Sequence, residues 1–392
     1  MTDTPIVRLN PGHAKRVRAG HPWVFSNEIA MDAAAKALAP GTVVRLTDAN
    51  GAFLASAMFN PHSLIAARVL SREKDESIDR AFLKARIQSA LHLRERLYPD
   101  PFYRLVHAEA DGLPGLVIDR FARTLVVEVG SAGMDALTTE LLAALEATVA
   151  PRCVILRNDS PVRTLEGLKL ETRVAKGEAP DGPIALTENG ARFFSDPIGG
   201  QKTGWFYDQR ESRARVAALA TGARVLDAYC YTGGFGVLAA MKGAAQVTCV
   251  DRSQPALDLA AMAADANGVT ERCRFVRGEA FDTLERMDET FDVVIADPPA
   301  FVRSKKDLGA GLRGYRKLMR LAAQRVAPGG FLFAASCSHH VTPEAFAKEL
   351  AHALADAGRA GRVIAQAGAG PDHPVHPQLP ESAYLKSLLV AL

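Results

Sequence analysis

Four acidic side chains each close an apolar run: Asp227 in "RVLDAY", Asp251 in "QVTCVD", Glu279 after "CRFVRG" and Asp297 in "FDVVIAD". In a doubly wound sheet, ligands sit at the carboxyl ends of strands, so acids at those positions face a ligand. Asp251 follows Asp227 by 24 positions, where a carboxylate accepts hydrogen bonds from a ribose diol. Glu279 is suited to accept from an exocyclic adenine amine. Between the first two acids, Gly233, Gly234 and Gly236 form a tight loop before a helix, and glycines let backbone approach a ligand closely. The order is DxxxxxGGxG, not the GxGxxG that packs a pyrophosphate against a helix N-terminus. An acid at the first strand end repels a pyrophosphate but suits a cofactor with a cationic amino-acid moiety. S-adenosylmethionine (SAM) therefore fits better than NAD.

The elements that hold these acids begin near residue 222, where strands and helices alternate regularly. The strands are continuous apolar runs, as expected for a parallel sheet buried on both faces, so this region reads as α/β. Two further strands, "RVIAQAG" and "AYLKSLLVAL", follow the helix "PEAFAKELAHALADAG". Upstream, "GTVVRLTD", "GAFLASAMFN" and "SLIAARVLS" are short β runs broken by turns, predicting a small barrel. An amphipathic helix is predicted over 78–98. An α+β section follows, with strands at "LPGLVIDRF", "TLVVEVG" and "CVILRND" and one helix over "MDALTTELLAALEATV". "KGEAPDGP", residues 176–183, reads as a boundary loop.

Bulk properties narrow the function. The 392 residues carry a formal net charge of +3, yet residues 1–72 hold eight Lys/Arg against four Asp/Glu, a net +4 that leaves −1 for the rest. A basic N-terminal module fits a polyanionic partner, with a solvated basic face as the plain alternative. Five scattered cysteines without CxxC spacing argue against a disulfide framework and a zinc site. Without a signal-like start or a long apolar run, a cytoplasmic protein with no membrane partner and no metal is expected.

"VLDAYCYTGGFGV", "DPPAFVRSKKDL", "SCSHH" and the upstream "GGQKTGWFYDQRESR" together resemble the ribosomal RNA large-subunit methyltransferase I family. "NPGHAKRVRAGHPWVFSNEI" is similar to the start of that family's PUA domain and "LPESAYLKSLL" to its C-terminal strand, so the resemblance spans nearly the whole chain. It implies a PUA-like RNA-binding domain over 1–73, a central α+β domain over 74–185 and a class I SAM-dependent methyltransferase domain over 186–392. The implied reaction is methylation of carbon-5 of a cytosine in large-subunit ribosomal RNA, naked or partly assembled. Whether two copies pair into a homodimer stays open. Cofactor contacts are implied from Asp227, Tyr229, Gly233, Gly234, Gly236, Asp251, Glu279, Ala280 and Asp297. The cluster Lys202, Thr203, Phe206, Asp208, Gln209 and Arg210 is implied to close over the cofactor, with Asp208 also placed to cap the helix start.

Asp297 is expected to hydrogen-bond the base edge, and Pro298 and Pro299 to stiffen its turn. Phe301 is expected to stack on a flipped-out base, weighed against a plain core role. Arg303, Lys305 and Lys306 open a window, 303–325, with eight Lys/Arg and one acid, Asp307; this reads partly as a phosphate track and partly as a solvated helix face. Carbon-5 of cytosine is too weak a nucleophile unless a thiolate first adds to carbon-6, and Cys337 in "SCSHH" stands where that thiolate is needed. Cys153, Cys249 and Cys273 read as buried apolar residues, and Cys230 as packing near the cofactor. Pro298-Pro299 leaves no second cysteine after the fourth strand. The base for the carbon-5 proton is unassigned among His339, His340 and Glu381. Three rivals remain: a base-nitrogen methyltransferase, an NAD oxidoreductase, and an RNA-binding assembly factor with a vestigial pocket.

Overall fold

The computed structural model describes residues 4–201 and 203–392, so Lys202 lies outside the described residues. The chain forms two compact units. One comprises Met1–Asp181, Pro197–Trp205 and Pro371–Pro380; the other comprises Gly182–Asp196, Phe206–Gly370 and Glu381–Leu392.

In the first unit, the N-terminal β runs form a five-stranded sheet ordered Ile6–Arg8, Thr42–Thr47, Phe53–Phe59, Ala67–Ser71 and Trp23–Val24. Val7, Leu9, Val44, Leu46 and Phe59 fill its core. The helix predicted over 78–98 spans Arg80–Leu97, and its start is fixed by Asp79, which accepts from the backbone N–H groups of Ala81 and Phe82. It packs on a second five-stranded sheet ordered Glu171–Lys176, Cys153–Asn158, Thr124–Val129, Leu116–Phe121 and Phe102–His107. The single helix expected over "MDALTTELLAALEATV" is instead two, Ala132–Ala136 and Thr138–Val149. Ser131 caps the first by accepting from Met134 N–H.

Two carboxylates, the buried Glu166 and the mostly buried Glu109, fasten these sheets to each other. Glu166 accepts from Asn60 Nδ2, Ser63 Oγ and Arg68. Glu109 accepts from the Trp23 indole at 2.8 Å and from Arg68 at 3.0 Å.

The second unit is built on a seven-stranded sheet. In chain order its strands are Arg224–Ala228, Gln246–Asp251, Cys273–Arg277, Phe291–Ala296, Val326–Ser336, Arg362–Ala367 and Lys386–Ala391. Their spatial order is third, second, first, fourth, fifth, seventh, sixth. The first five are parallel, as their unbroken apolar character requires. The seventh runs antiparallel between the fifth and the sixth. The strand order reverses between the first and fourth strands, and there two crossovers diverge and leave a crevice at the carboxyl ends. A hairpin, Ile184–Glu188 with Ala191–Ser195, precedes the helix Arg210–Ala217. Glu188 anchors that helix through Arg213 at 2.6 Å and Arg210 at 3.5 Å.

Candidate active site

The first and fourth strands pair with Ala228 opposite Ala296, so Asp227 and Asp297 stand at the reversal point, at neighbouring levels. Asp227 is buried, and its Oδ2 accepts from Gly236 N–H at 2.9 Å. Its other oxygen has no partner among the described residues. Burial pushes the Asp227 carboxyl up to about 7; the Gly236 N–H and the Arg213 charge pull it down, and Asp297 and Asp251 push it further up. A cation placed against this carboxyl would favour its charged form and offset the cost of burial.

The glycine loop is tight for identifiable reasons. A Cβ on Gly236 would meet Cys249 Sγ at 2.5 Å, and one on Gly234 would meet Arg213 Nε at 2.5 Å. Two non-glycine residues here, Tyr229 and Tyr231, hold φ of 77° and 50°, a left-handed backbone that stores strain where the loop turns. Tyr231 N–H donates to Asp251 Oδ2 at 3.0 Å, and Ser253 N–H donates to Oδ1 at 2.9 Å. Each oxygen keeps a second lone pair for a ribose hydroxyl. The Tyr229 hydroxyl is made harder to ionise by burial, then by the charges of Glu279 and Asp251. Tyr229 and the two acids expected to hold ribose and adenine thus share one neighbourhood. Glu279 is exposed at the start of the helix Ala280–Arg286, and Ala280 beneath it is buried.

Of the upstream cluster, Phe206 packs edge-on against Tyr231 with ring centroids 5.3 Å apart. Gln209 Nε2 donates to Asp297 Oδ2 at 2.9 Å, and Gln209 Oε1 is buried with no partner among the described residues. Asp208 accepts from the Tyr384 hydroxyl at 2.6 Å. The following helix starts at Arg210 with Gln209 at its N-cap position. Arg210 lies over the Tyr207 ring, 5.5 Å from its centroid. Thr203 belongs to the first unit, where its hydroxyl donates to Asp119. Unsatisfied buried polar atoms cost about 1–3 kcal/mol each, so Asp227 Oδ1, Gln209 Oε1 and the likewise unpartnered Thr232 Oγ1 mark where a polar ligand belongs. A cationic amine for Asp227, a diol for Asp251 and a close-approach glycine loop fit SAM.

Past Asp297, Pro298 is buried and Pro299 exposed. Phe301, expected to stack on a base, packs on Tyr315 at 4.7 Å and on Phe281 at 6.0 Å between centroids. The ring keeps part of its surface exposed. The basic window divides. Arg316 pairs with Asp356 and Lys317 with Glu285, and Arg325 donates to Met287 O. Arg303, Lys305 and Lys306 are exposed around a short turn that Ser304 and Asp307 cap reciprocally.

Cys337, just beyond the fifth strand, is partly exposed. Cys153, Cys230 and Cys249 are buried, and burial raises the Cys230 and Cys273 thiols far above their usual range, Cys273 to about 12. His339, His340 and Glu381 are exposed, with His339 5.2 Å from the Tyr384 ring. Lys386 is a member of this corner that sequence reasoning misses. Its Nζ donates to Ser338 O at 2.6 Å and its side chain is buried. A signal for it exists: a lysine inside the apolar run "AYLKSLLVAL". Tyr315 completes the corner through its hydroxyl, 2.9 Å from Ser338 Oγ.

Comparison with known proteins agrees with this geometry. Residues 7–72 match the PUA-like domain family, and residues 148–390 match the S-adenosylmethionine-dependent methyltransferase family. A ribosomal RNA large subunit methyltransferase I from Enterobacter sp. (strain 638) is 40% identical over 386 residues, covering 96% of this chain and 97% of that protein. One from Cronobacter sakazakii (strain ATCC BAA-894) is 41% identical over 387 residues, with 96% and 97% covered. Among solved structures, a Streptococcus mutans chain assigned as a SAM-dependent methyltransferase superposes with a TM-score of 0.83 at 22% identity, covering 99% of this chain and all of that one. That likeness shows a shared fold. With identity near 40% sustained over nearly its full length, the chain belongs to the ribosomal RNA large subunit methyltransferase I family, a PUA-like domain joined to a SAM-dependent methyltransferase.

Proposed function

We propose that this chain methylates carbon-5 of a cytosine in large-subunit ribosomal RNA through a covalent adduct on Cys337. The supporting observation is a partly exposed thiol just past the fifth strand, beside the fourth strand that ends in Asp297, in the pairing Ala296 opposite Ala334. Bound SAM supplies an electrophilic methyl group. Cys337 Sγ adds as thiolate to carbon-6, which forms an S–C bond and turns carbon-5 into an enamine-like nucleophile. Carbon-5 takes the methyl group; its proton then leaves to a base, and the electrons of that C–H bond expel the thiolate. Asp297, oriented by Gln209, holds the cytosine edge, and the buried Pro298 keeps its turn rigid. The nitrogen-methylating alternative has no use for a thiol here. Bisulfite sequencing of large-subunit ribosomal RNA from cells with and without the gene is expected to show one cytosine whose protection depends on this protein. Full conversion of that RNA in both strains would reject the reading.

RNA capture is assigned to the basic N-terminal sheet and to Arg303, Lys305 and Lys306, so the enzyme works in the cytoplasm with its substrate. Asn10, Lys15, Arg18, Asp48 and Asn50 line a groove beside the first short helix, and Arg8, Lys15 and Lys36 are exposed. Deleting residues 1–72 would strip Glu109 of Trp23 and Arg68 and Glu166 of Asn60, Ser63 and Arg68, so substitutions are the cleaner test. Replacing Arg8, Lys15 and Lys36 together by Ala is expected to leave SAM binding intact. It should weaken RNA binding and flatten the slope of log K against log salt by about 0.7 for each phosphate no longer neutralised. An unchanged slope would remove RNA capture from this face.

A further inference from the structure

The reading of Cys337 as nucleophile leaves open what ionises it. We propose that Lys386 takes the proton of the Cys337 thiol and, as an ammonium, holds the thiolate ready for attack. The inference rests on the proposed covalent role of Cys337, and it begins from strand register. Lys386 lies opposite Ser336 on the antiparallel seventh strand, and its Nζ reaches forward to the carbonyl of Ser338. The side chain therefore spans the backbone on either side of Cys337. It is buried, with 6% of its surface exposed, in a strand whose neighbours Leu385, Leu388 and Leu389 are apolar.

A lysine is rarely buried unless its amine has work or a partner there. Burial lowers the Lys386 amine to about 8, and the negative charge of Cys337 opposes that fall. The two groups thus stabilise each other's charged forms, and the transfer is balanced: the S–H proton moves to the amine lone pair, leaving a thiolate beside an ammonium. Lysine is the residue type whose pKa shifts into this range when desolvated, and a neighbouring cation is what lowers a reactive thiol.

The other groups around this corner are Tyr315 from the helix Leu308–Gln324, His339, and Tyr384, which carries Asp208 on its hydroxyl. The Tyr315 phenol is pushed up by burial and stays neutral. His339 is exposed. Lys386 acts through Cys337, so it is a positioning residue.

The test is the pH profile of Cys337 alkylation by iodoacetamide, read by mass spectrometry of the Cys337 peptide, with no RNA or cofactor present. In the wild type, half-maximal reactivity is expected below the value near 8.5 of a free thiol. Lys386→Met should raise the midpoint by about one pH unit or more; Lys386→Arg, which cannot take the proton but keeps the cation that holds the thiolate, should keep it low; and His339→Ala should not move it. A wild-type midpoint at or above about 8.5 overturns the proposal, and that measurement needs no variant to fold. So does an unchanged midpoint in Lys386→Met, or a shift with His339→Ala alone. The outcomes separate this inference from the covalent reading. A low midpoint in an enzyme that still methylates as Cys337→Ala would sink only the covalent route, whereas a covalent RNA adduct with an ordinary thiol profile would sink only the role of Lys386.

Discussion

Cys337→Ala is expected to reduce methylation below detection while leaving SAM and RNA affinity unchanged. The thiolate is the only means in this mechanism of making carbon-5 nucleophilic, so its loss removes the step outright. Cys337 follows the fifth strand, whereas the glycine loop and the acids proposed to hold the cofactor stand at other strand ends, so neither affinity is expected to depend on its sulfur. Wild-type enzyme given RNA with 5-fluorocytosine at the target should stall as a covalent adduct, because fluorine cannot leave as a cation after methyl transfer. The adduct should survive denaturing electrophoresis and be missing with Cys337→Ala. Near-normal turnover by the variant would hand the function to a nitrogen-methylating mechanism.

The second large effect is expected at Asp227. Burial pushes its carboxyl up to about 7, whereas a cofactor ammonium set against it would need the carboxylate. Asp227→Asn keeps an acceptor for Gly236 N–H and removes the charge. By calorimetry above neutral pH it should weaken SAM by about 1.5–3 kcal/mol, on the order of 10–150-fold. In the wild type, affinity should be flat above about pH 7 and fall up to tenfold per unit below it, while the Asn variant shows no such slope. The sign for stability is opposite. The folded pKa lies above the unfolded one, so this group's contribution to the cofactor-free fold is present in acid and is lost as pH rises through about 7. Bound SAM offsets that loss, so its stabilising effect should grow with pH across neutrality. A wild-type affinity that does not vary between about pH 6 and 8 would contradict the assignment.

The acids at strand ends are legible because a parallel sheet writes each strand as an unbroken apolar run, and its last polar residue then stands out. The partners of those acids are not. Gln209 and Asp297 are 88 positions apart, and no local pattern announces such a bond. The same is true of Tyr384 on Asp208. A ring after Asp-Pro-Pro looks free in sequence, whereas Phe281 and Tyr315 arrive from separate helices to cover Phe301. The strand Phe102–His107 escapes the pattern because Arg104 interrupts its apolar run; Arg104 pairs there with the buried Asp119. Glu171–Lys176 is an edge strand with little apolar content, the kind that propensity misses. At Leu137, whose backbone (φ −95°, ψ 13°) ends one helix and begins the next, a helical sequence pattern runs through the break.

The placement of Lys386–Ala391 governs when the sheet can close. Lys386–Ala391 fills the gap between Val326–Ser336 and Arg362–Ala367, and the latter joins the sheet only through it. A ribosome that has made everything up to Tyr384 has therefore released an eleven-residue strand, Val326–Ser336, with one apolar edge unpaired, and a further strand with nowhere to bind. Open edges of that kind recruit other chains. The corner around Cys337 is thus completed by a strand that the chain supplies after the helix Pro343–Asp356, since the Lys386 ammonium reaches Ser338 O only once Lys386–Ala391 has paired with Val326–Ser336.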